Sequence, residues 1–289
     1  MKLVTYQLNN QMKLGAWRED EIVDLSAVAP DMLTLIEMGA DGLAQAQTHL
    51  SAATTTAPIA DVKLHAPIPD PRRNIICLGL NYAAHAQESN RVKGFASDLP
   101  QFPVIFNKAT TSMNGPYDSI PYDADVSTKI DWEVELAVVI GRSGKNISTD
   151  EAMSYVFGYT IMNDISARDL QSNHKQFFKG KSLDGSAPMG PCLVTADSLD
   201  PHNLHITSRV NGVTKQDSNT NNMIFDIPTT IYHLARGMTL LAGDIIATGT
   251  PEGVGFARTP PEFLKPGDMV ECEVEGIGTI RNQIATTGH

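Results

Sequence analysis

Residues 131–141 read DWEVELAVVIG, a run with the apolar content of a β-strand that nevertheless carries Glu133 and Glu135. In a strand, side chains at positions i and i+2 share a face and lie about 6.6 Å apart. The two carboxylates therefore point to the same side. Beyond them both faces of the strand are apolar, which predicts a strand that is buried on both sides.

Two ionised carboxylates at the mouth of a buried strand carry a double cost. They repel each other by about 3 kcal/mol at an effective dielectric of 20, and desolvation adds several kcal/mol for each. A bound cation removes both costs, and oxygen ligands select Mg²⁺ or Mn²⁺, with Ca²⁺ as a further option, over zinc. The alternative is a half-exposed strand with an acidic outer face, which is the common explanation of an isolated Glu-x-Glu pair.

The rest of the chain is typical of a strand-rich globular protein. It has 289 residues, 42% hydrophobic and 19% charged, with 22 glycines and 17 prolines. Short strand patterns with turn residues fill residues 74–285, and helical patterns do not alternate with them regularly. We predict a mixed α/β, β-rich roll or sandwich at residues 66–289. Four prolines between Pro58 and Pro71 separate it from a small N-terminal domain at residues 1–65.

Charge and cysteine content exclude several classes of function. The formal net charge of −11 disfavours nucleic-acid and anionic-membrane binding. The sequence contains no signal-peptide pattern and no apolar run of membrane-spanning length, so we expect a cytoplasmic protein. Cys77, Cys192 and Cys272 lie far apart, and we interpret them as buried reduced thiols rather than nucleophiles.

A third candidate metal ligand is Asp164, at the end of the strand-like segment VFGYTIMND. The chain then turns into a helix, where Ser166 and Asp169 have the spacing of a capping box. Either aspartate could therefore serve only as a helix cap.

Two further motifs indicate chemistry at a metal site. His85 and Glu88 lie three residues apart on a predicted helix, the spacing of a carboxylate that orients a histidine general base, although a solvated pair is the ordinary alternative. Lys179 and Lys181 lie in a loop, where a lysine is usually solvated but near a metal can bind a substrate carboxylate or an oxyanion. The segment GDIIATGTPEGVG, which contains Thr250, is not a nucleotide-binding motif, but its small residues allow backbone amides to approach a ligand closely.

Five segments in order resemble the fumarylacetoacetate hydrolase superfamily over roughly residues 70 to 285: GLNYAAHAQE, DWEVELAVVIG, GYTIMNDISARDLQ, GKSLDG and GDIIATGTPEGVG. The resemblance implies a β-roll fold and a metal ion held by Glu133, Glu135 and Asp164. It also implies a His85–Glu88 dyad on a lid over residues 88–99, with Lys181 near the metal. The predicted substrate contacts are Arg168, Gln171, Gly249 and Thr250.

One departure favours an acylpyruvase-type branch over fumarylacetoacetase itself. Fumarylacetoacetase has a further aspartate ligand before its lid, where this chain has Asn81, and its dyad glutamate is distant in sequence. The resemblance implies hydrolysis of a carbon–carbon bond in an acylpyruvate or related 2,4-diketo acid, through a metal-held enolate. His85 would activate water, and Lys181 and Gln171 would position the substrate.

Several alternatives remain open at this point. One alternative is decarboxylation of oxaloacetate. Another is tautomerisation, isomerisation or hydration of a 2-oxo acid on the same scaffold. The presence of the dyad favours hydrolysis over these reactions. A non-catalytic metal-binding protein on this fold is a different class, but no dyad residue or carboxylate is lost. A homodimer is expected from the resemblance alone.

Overall fold

The computed structural model describes residues 1–94 and 99–286. It contains 19 strands in this part of the chain: β1 Lys2–Leu8, β2 Gln11–Arg18, β3 Glu21–Asp24, β4 Ala57–Pro58, β5 Lys63–Leu64, β6 Ile75–Gly79, β7 Val104–Lys108, β8 Met113–Asn114, β9 Ile120–Tyr122, β10 Ile130–Asp131, β11 Val134–Ile140, β12 Val156–Asn163, β13 Ser166–Ala167, β14 Ala187–Thr195, β15 His205–Val210, β16 Val213–Asn219, β17 Ile245–Ala247, β18 Met269–Val274 and β19 Gly278–Thr286.

The helices of the described residues are α1 Met32–Ala52, α2 Ala83–Lys93, α3 Thr149–Ala152, α4 Arg168–Asn173, α5 Phe178–Lys181 and α6 Ile227–Ala235. Short 3-10 turns lie at Ile59–Asp61, Thr110–Ser112, Met153–Tyr155, Ala196–Ser198, Pro201–Asn203, Thr220–Asn222 and Gly255–Ala257. In this part of the chain no helix has both the length and the apolar character needed to cross a bilayer.

Most strands belong to one large sheet, in the order β4-β3-β2-β1-β14-β12-β11-β17-β6-β7. A second sheet of five strands has the order β16-β15-β18-β19-β9, and β10 pairs with β13 alone. The predicted mixed, β-rich class is confirmed. Helices are few because most of the apolar pattern repeats every second residue, as strands require.

Strand β11 lies inside the large sheet, between antiparallel β12 and β17. All seven of its residues are buried. Val134, Leu136 and Val138 belong to one apolar core, while Ala137 and Val139 belong to another on the opposite side of the sheet. The predicted burial of this strand on both faces is confirmed, and the carboxylates at its start lie in the protein interior.

The N-terminal strands extend this same sheet, because β1 pairs antiparallel with β14 at Lys2↔Val194 and Leu3↔Leu193. Helix α1 follows these strands, and within it Gly39 has a positive φ of 59° and breaks the helical geometry. The division at residue 65 remains a prediction, and the hydrogen-bonded sheet crosses it through β1 and β14.

Candidate active site

The three predicted metal ligands come together at the adjacent ends of β11 and β12. Glu133 directly precedes β11, Glu135 lies on it, and Asp164 directly follows β12. The Asp164 amide donates to the Glu133 carbonyl at 2.9 Å, which joins the two strand ends. One ligand oxygen from each of the three residues lies within 4.8 Å of the other two, and all three side chains are buried.

The donor set fits a hard divalent ion. Glu135 accepts a hydrogen bond from the Gly249 amide at 2.8 Å through one oxygen, while its other oxygen, Oε1, is buried without a hydrogen-bond partner. Burial, with the charges of Asp164 and Glu133, raises the pKa of Glu135 well above its usual value. A buried oxygen without a donor is costly unless a cation binds it, so these residues suit Mg²⁺ or Mn²⁺.

Protein cations hold the other two carboxylates. Lys181 Nζ bridges Glu133 Oε2 at 2.7 Å and Asp164 Oδ2 at 2.6 Å. Arg168 donates to Glu133 Oε1 at 2.6 Å. Burial opposes ionisation of Glu133, but Lys181 and Arg168 overcome it and hold the pKa of Glu133 well below its usual range. Glu133 is therefore charged before a metal binds.

Lys108 also belongs to the site, and the sequence analysis missed it. Its side chain is fully buried at the end of β7 and donates to Asp164 Oδ1 at 2.8 Å and to the Ile165 carbonyl at 3.1 Å. Lysine is almost never fully buried unless it is paired. No local pattern identifies this residue, because its partner lies 56 positions further along the chain.

Asp131 is a further residue of the site that was not predicted, although its spacing in the sequence signals it. Asp131, Glu133 and Glu135 follow the same period of two. Asp131 is fully buried and accepts a hydrogen bond from Arg168 Nε at 2.8 Å. It therefore binds the same arginine that contacts Glu133.

The structure brings His85 and Glu88 together on α2. His85 Nδ1 lies 2.9 Å from Glu88 Oε1, and His85 is 5% exposed. The carboxylate also accepts the Gly253 amide at 3.1 and 3.2 Å, which fixes its orientation. Because a carboxylate accepts the bond, the proton lies on Nδ1 and leaves Nε2 free for proton transfer.

The glycine-rich segment 249–256 lies close to the site as predicted, but its amides serve the protein's own carboxylates. Gly249 donates to Glu135 and Gly253 donates to Glu88. Gly255 and Phe256 both donate to Asp131, at 2.6 and 3.0 Å. This segment therefore orients side chains of the site.

A cavity of about 460 Å³ connects these groups. Its polar wall includes His85, Glu133, Lys181 and three predicted substrate contacts, Arg168, Gln171 and Thr250. Its apolar wall is formed by Leu78, Leu80, Val92, Phe106 and Phe177. The predicted lid over residues 88–99 borders the cavity through Ser89 and Val92, and its residues 95–98 lie outside the described part of the chain.

The hydrogen bonds of the predicted substrate contacts refine their roles. The Thr250 hydroxyl donates to the Val134 carbonyl at 2.8 Å and accepts from Gln216 at 2.7 Å, so it is occupied within the protein. Arg168 Nη1 donates to Gln171 Oε1 at 3.1 Å, which places both side chains side by side in the cavity. Their contacts with substrate remain predictions, as does that of Gly249.

Two other sequence interpretations have clear structural outcomes. Asn81 binds backbone only, donating to the Phe225 and Thr248 carbonyls and accepting the Phe225 amide, so it does not replace a metal ligand. The cap interpretation fails because α4 begins after Ala167 with no side-chain cap. Asp169 accepts instead from its neighbour Leu170 and from Ser127.

Three buried carboxylates with ligand oxygens within 4.8 Å of one another, beside a histidine–glutamate pair and a bridging lysine, are typical of an enzyme with an oxygen-ligated divalent metal centre. The family described as "Fumarylacetoacetate (FAA) hydrolase C-terminal" matches residues 74–285. The chain belongs to this family, as the sequence motifs predicted.

Full-length relatives agree with this assignment. The chain is 45% identical to the oxaloacetate tautomerase YisK of Bacillus subtilis (strain 168), over 98% of this chain and 100% of YisK. The solved structure of a fumarylacetoacetate hydrolase from Exiguobacterium antarcticum matches with a TM-score of 0.88 at 38% identity, covering 99% of this chain and 100% of that one. Maleylpyruvate hydrolase from Sphingobium sp. SYK-6, solved with manganese(II) and pyruvate, matches with a TM-score of 0.81 at 28% identity over 100% of both chains.

Proposed function

We propose that this protein is a divalent-metal-dependent tautomerase that interconverts the enol and keto forms of oxaloacetate. The observation that carries the proposal is the 45% identity to an oxaloacetate tautomerase along the whole length of both chains. This reaction was an alternative in the sequence analysis, which favoured hydrolysis of a diketo acid. The side chains of the site support tautomerisation rather than hydrolysis, because they suffice for a proton transfer without attack by water.

The charge of the site suits an anionic substrate. With all four buried carboxyl groups counted as ionised, Asp131, Glu133, Glu135 and Asp164 exceed the three cations Lys108, Arg168 and Lys181 by one negative charge. A divalent ion bound by Glu133, Glu135 and Asp164 would reverse this sign and supply a Lewis acid for the substrate carboxylate and its neighbouring oxygen. Arg168 and Gln171 would then bind substrate oxygens from the cavity wall.

His85 would carry the proton between the two substrate atoms. Its Nε2 accepts the proton of the enol hydroxyl, and the electron pair of that O–H bond becomes the new carbonyl bond. The electrons of the carbon–carbon double bond then take a proton from the imidazolium and form the C–H bond of the keto acid. Glu88 keeps the ring oriented throughout, because it is fixed by the Gly253 amide.

Lys181 would act as a hydrogen-bond donor rather than as a base. Burial alone lowers the pKa of a lysine, but Asp164 and Glu133 outweigh that effect, so the pKa of Lys181 lies above its usual value. The ammonium group therefore stays protonated at neutral pH. In this form it stabilises negative charge that develops on a substrate oxygen.

A second candidate is the hydrolysis of a carbon–carbon bond in an acylpyruvate. The apolar wall of the cavity favours it, because Leu78, Leu80, Val92, Phe106 and Phe177 offer contacts that a four-carbon dicarboxylate does not use. The cavity volume of about 460 Å³ also accommodates a substrate larger than oxaloacetate. In this reaction the His85–Glu88 dyad would activate water.

The two candidates are separated by following both reactions on the same protein with Mg²⁺ or Mn²⁺. Tautomerase activity appears as faster loss of the ultraviolet absorbance of enol-oxaloacetate than in buffer with metal alone, without release of pyruvate. Hydrolysis appears as pyruvate formation from an acylpyruvate series, and decarboxylation as pyruvate formation from oxaloacetate. Acceleration by wild type that disappears in His85→Gln supports the proposal, whereas an enol decay equal to that in buffer refutes it.

A further inference from the structure

Asp131 accepts four hydrogen bonds from four different residues. Its Oδ1 accepts the Gly255 and Trp132 amides at 2.6 and 2.9 Å, and its Oδ2 accepts Arg168 Nε and the Phe256 amide at 2.8 and 3.0 Å. An ionised carboxylate offers about four lone-pair sites, so all of them are occupied. The side chain is fully buried, and it therefore has no capacity left for substrate or metal.

The backbone around Asp131 is shaped to make this contact. A Cβ atom on Gly255 would meet Asp131 Oδ1 at 2.7 Å and would also collide with the Glu262 carbonyl oxygen. Only glycine at this position lets the backbone N–H come so close to the carboxylate. Phe256 adds a second contact, because the Arg168 guanidinium lies over its ring, 4.4 Å from the centroid.

Asp131 joins two parts of the site, in addition to the link that the Gly249 amide makes to Glu135. On one side Arg168 extends from it to Glu133 Oε1 at 2.6 Å and to Gln171 at 3.1 Å. On the other side the segment that donates to Asp131 also donates, through the Gly253 amide, to Glu88. The metal ligand Glu133 and the dyad are thus both tied to one carboxylate.

We propose that Asp131 is a positioning residue of the reaction, which fixes the placement of the His85–Glu88 dyad relative to the metal centre through Arg168 and residues 253–256. It touches neither substrate nor metal. Partners of this kind in the second layer of a metal site change metal affinity or activity by about 10- to 100-fold when they are replaced. The turnover measurement rests on the proposed function, whereas metal affinity does not.

The test is Asp131→Asn, which keeps the size of the side chain but has only one acceptor oxygen. In either orientation of the amide, two of the four donors face an NH₂ group. We expect Mn²⁺ affinity, measured by calorimetry, and kcat each to fall by at least about tenfold. Asp244→Asn is the matched control, because Asp244 is also buried and also binds an arginine, Arg73, and a backbone amide, that of Leu241, without contacting the site. It should lose stability but keep kcat and Mn²⁺ affinity within about twofold of wild type.

A double-mutant cycle with Glu88→Gln distinguishes positioning from general destabilisation. If Asp131 acts through the dyad, the loss of kcat caused by Asp131→Asn is smaller in the Glu88→Gln background than in wild type. Equal losses in both backgrounds overturn the proposal, as do kcat and Mn²⁺ affinity within about twofold of wild type in the folded Asp131→Asn protein.

A substitute variant and a second readout test the role of Asp131 if Asp131→Asn does not fold or if wild type has no tautomerase activity. If Asp131→Asn does not fold, Arg168→Lys takes its place in the cycle, since one ammonium cannot reproduce the separate donations to Asp131 and Glu133. The same coupling with Glu88→Gln is expected, and its absence overturns the proposal. If wild type does not accelerate oxaloacetate tautomerisation, the proposed function fails, and the Mn²⁺ affinities of Asp131→Asn and Asp244→Asn decide the role of Asp131 alone.

Discussion

Replacing Glu135 with glutamine is expected to abolish metal binding without destabilising the metal-free protein. In the described part of the chain the Glu135 side chain has no ion-pair partner, and its only hydrogen bond comes from the Gly249 amide. Glutamine keeps an oxygen for that amide. Its NH₂ group replaces the unpartnered oxygen, so the metal-free variant loses a repelled charge and no hydrogen bond.

The size of the effect follows from the separation of the charges. The ligand oxygens of Glu133, Glu135 and Asp164 lie within 4.8 Å of one another. At that distance and an effective dielectric of about 20, each pair of carboxylates repels by about 3.5 kcal/mol. Lys181 forms ion pairs with Glu133 and Asp164, which offset their negative charges. Glu135 has no such partner among the described residues, so a bound metal stabilises its charge the most.

The pH dependence of the folding stability of the metal-free protein reflects the same repulsion. Because burial and its neighbours raise the pKa of Glu135, the folded state binds a proton that the unfolded chain releases near the usual pKa of 4.5. The stability that this proton supplies is complete below pH 4.5 and is lost as pH rises from there through the raised pKa. The Glu135→Gln protein should not lose this stability as pH rises, because glutamine does not ionise.

Thermal unfolding of both proteins at pH values from about 5 to 8, with and without Mn²⁺, measures these effects. A ligand at 100 times its Kd stabilises by about 2.7 kcal/mol, which raises the Tm of a chain of this size by roughly 4–5 °C. Wild type and Glu273→Gln, a control on the five-stranded sheet, should show that rise, and Glu135→Gln should not. A Mn²⁺-dependent rise in Glu135→Gln, or a metal-free variant less stable than wild type at pH 8, would refute the reasoning.

Three further substitutions test the site by other routes. Lys181→Met leaves two buried carboxylates without their shared cation and should cost about 3–5 kcal/mol in urea unfolding of the metal-free protein, whereas a loss below about 1 kcal/mol contradicts the role of that ion pair. His85→Gln should lower kcat by about 10²- to 10⁴-fold with Mn²⁺ affinity unchanged, and an equal loss of Mn²⁺ affinity would argue against a proton-transfer role. Gly255→Ala should destabilise by about 1–3 kcal/mol because its methyl group meets Asp131, while Gly79→Ala, with only ordinary contacts, should stay within about 0.5 kcal/mol; equal effects would contradict the close-approach argument.

The metal ligands were predictable because their signal is local. The spacing of Glu133 and Glu135 fixes their common face, and the apolar continuation of the strand fixes its burial. Asp164 was harder, since a helix cap explained it equally well until the structure placed it between Lys108 and Lys181. The spacing of His85 and Glu88 suggested the dyad, and the resemblance to a known family supplied the placement of Lys181 near the metal and the predicted substrate contacts.

The sequence did not predict which cations and backbone amides pair with the buried carboxylates and offset the cost of burying their charge. Lys108 ends a short strand, where a lysine usually signals solvent, and its burial depends on a partner more than 50 positions away. The amides of residues 249–256 were expected to serve a ligand. Their actual partners come from three separate segments of the chain, and no pattern along the sequence encodes such an assembly.

The segment from Gly249 to Phe256 has a consequence for how this scaffold can diversify. Four of its backbone amides donate to carboxylates from β11, α2 and β10, and a backbone N–H is present whatever the side chain, proline apart. The side chain at a position such as Glu252 can therefore change, whereas an inserted or deleted residue would break at least one of these hydrogen bonds. The length of this segment is therefore constrained, and apolar residues of the cavity wall such as Leu78, Leu80 and Val92 are positions at which a substitution can change substrate preference.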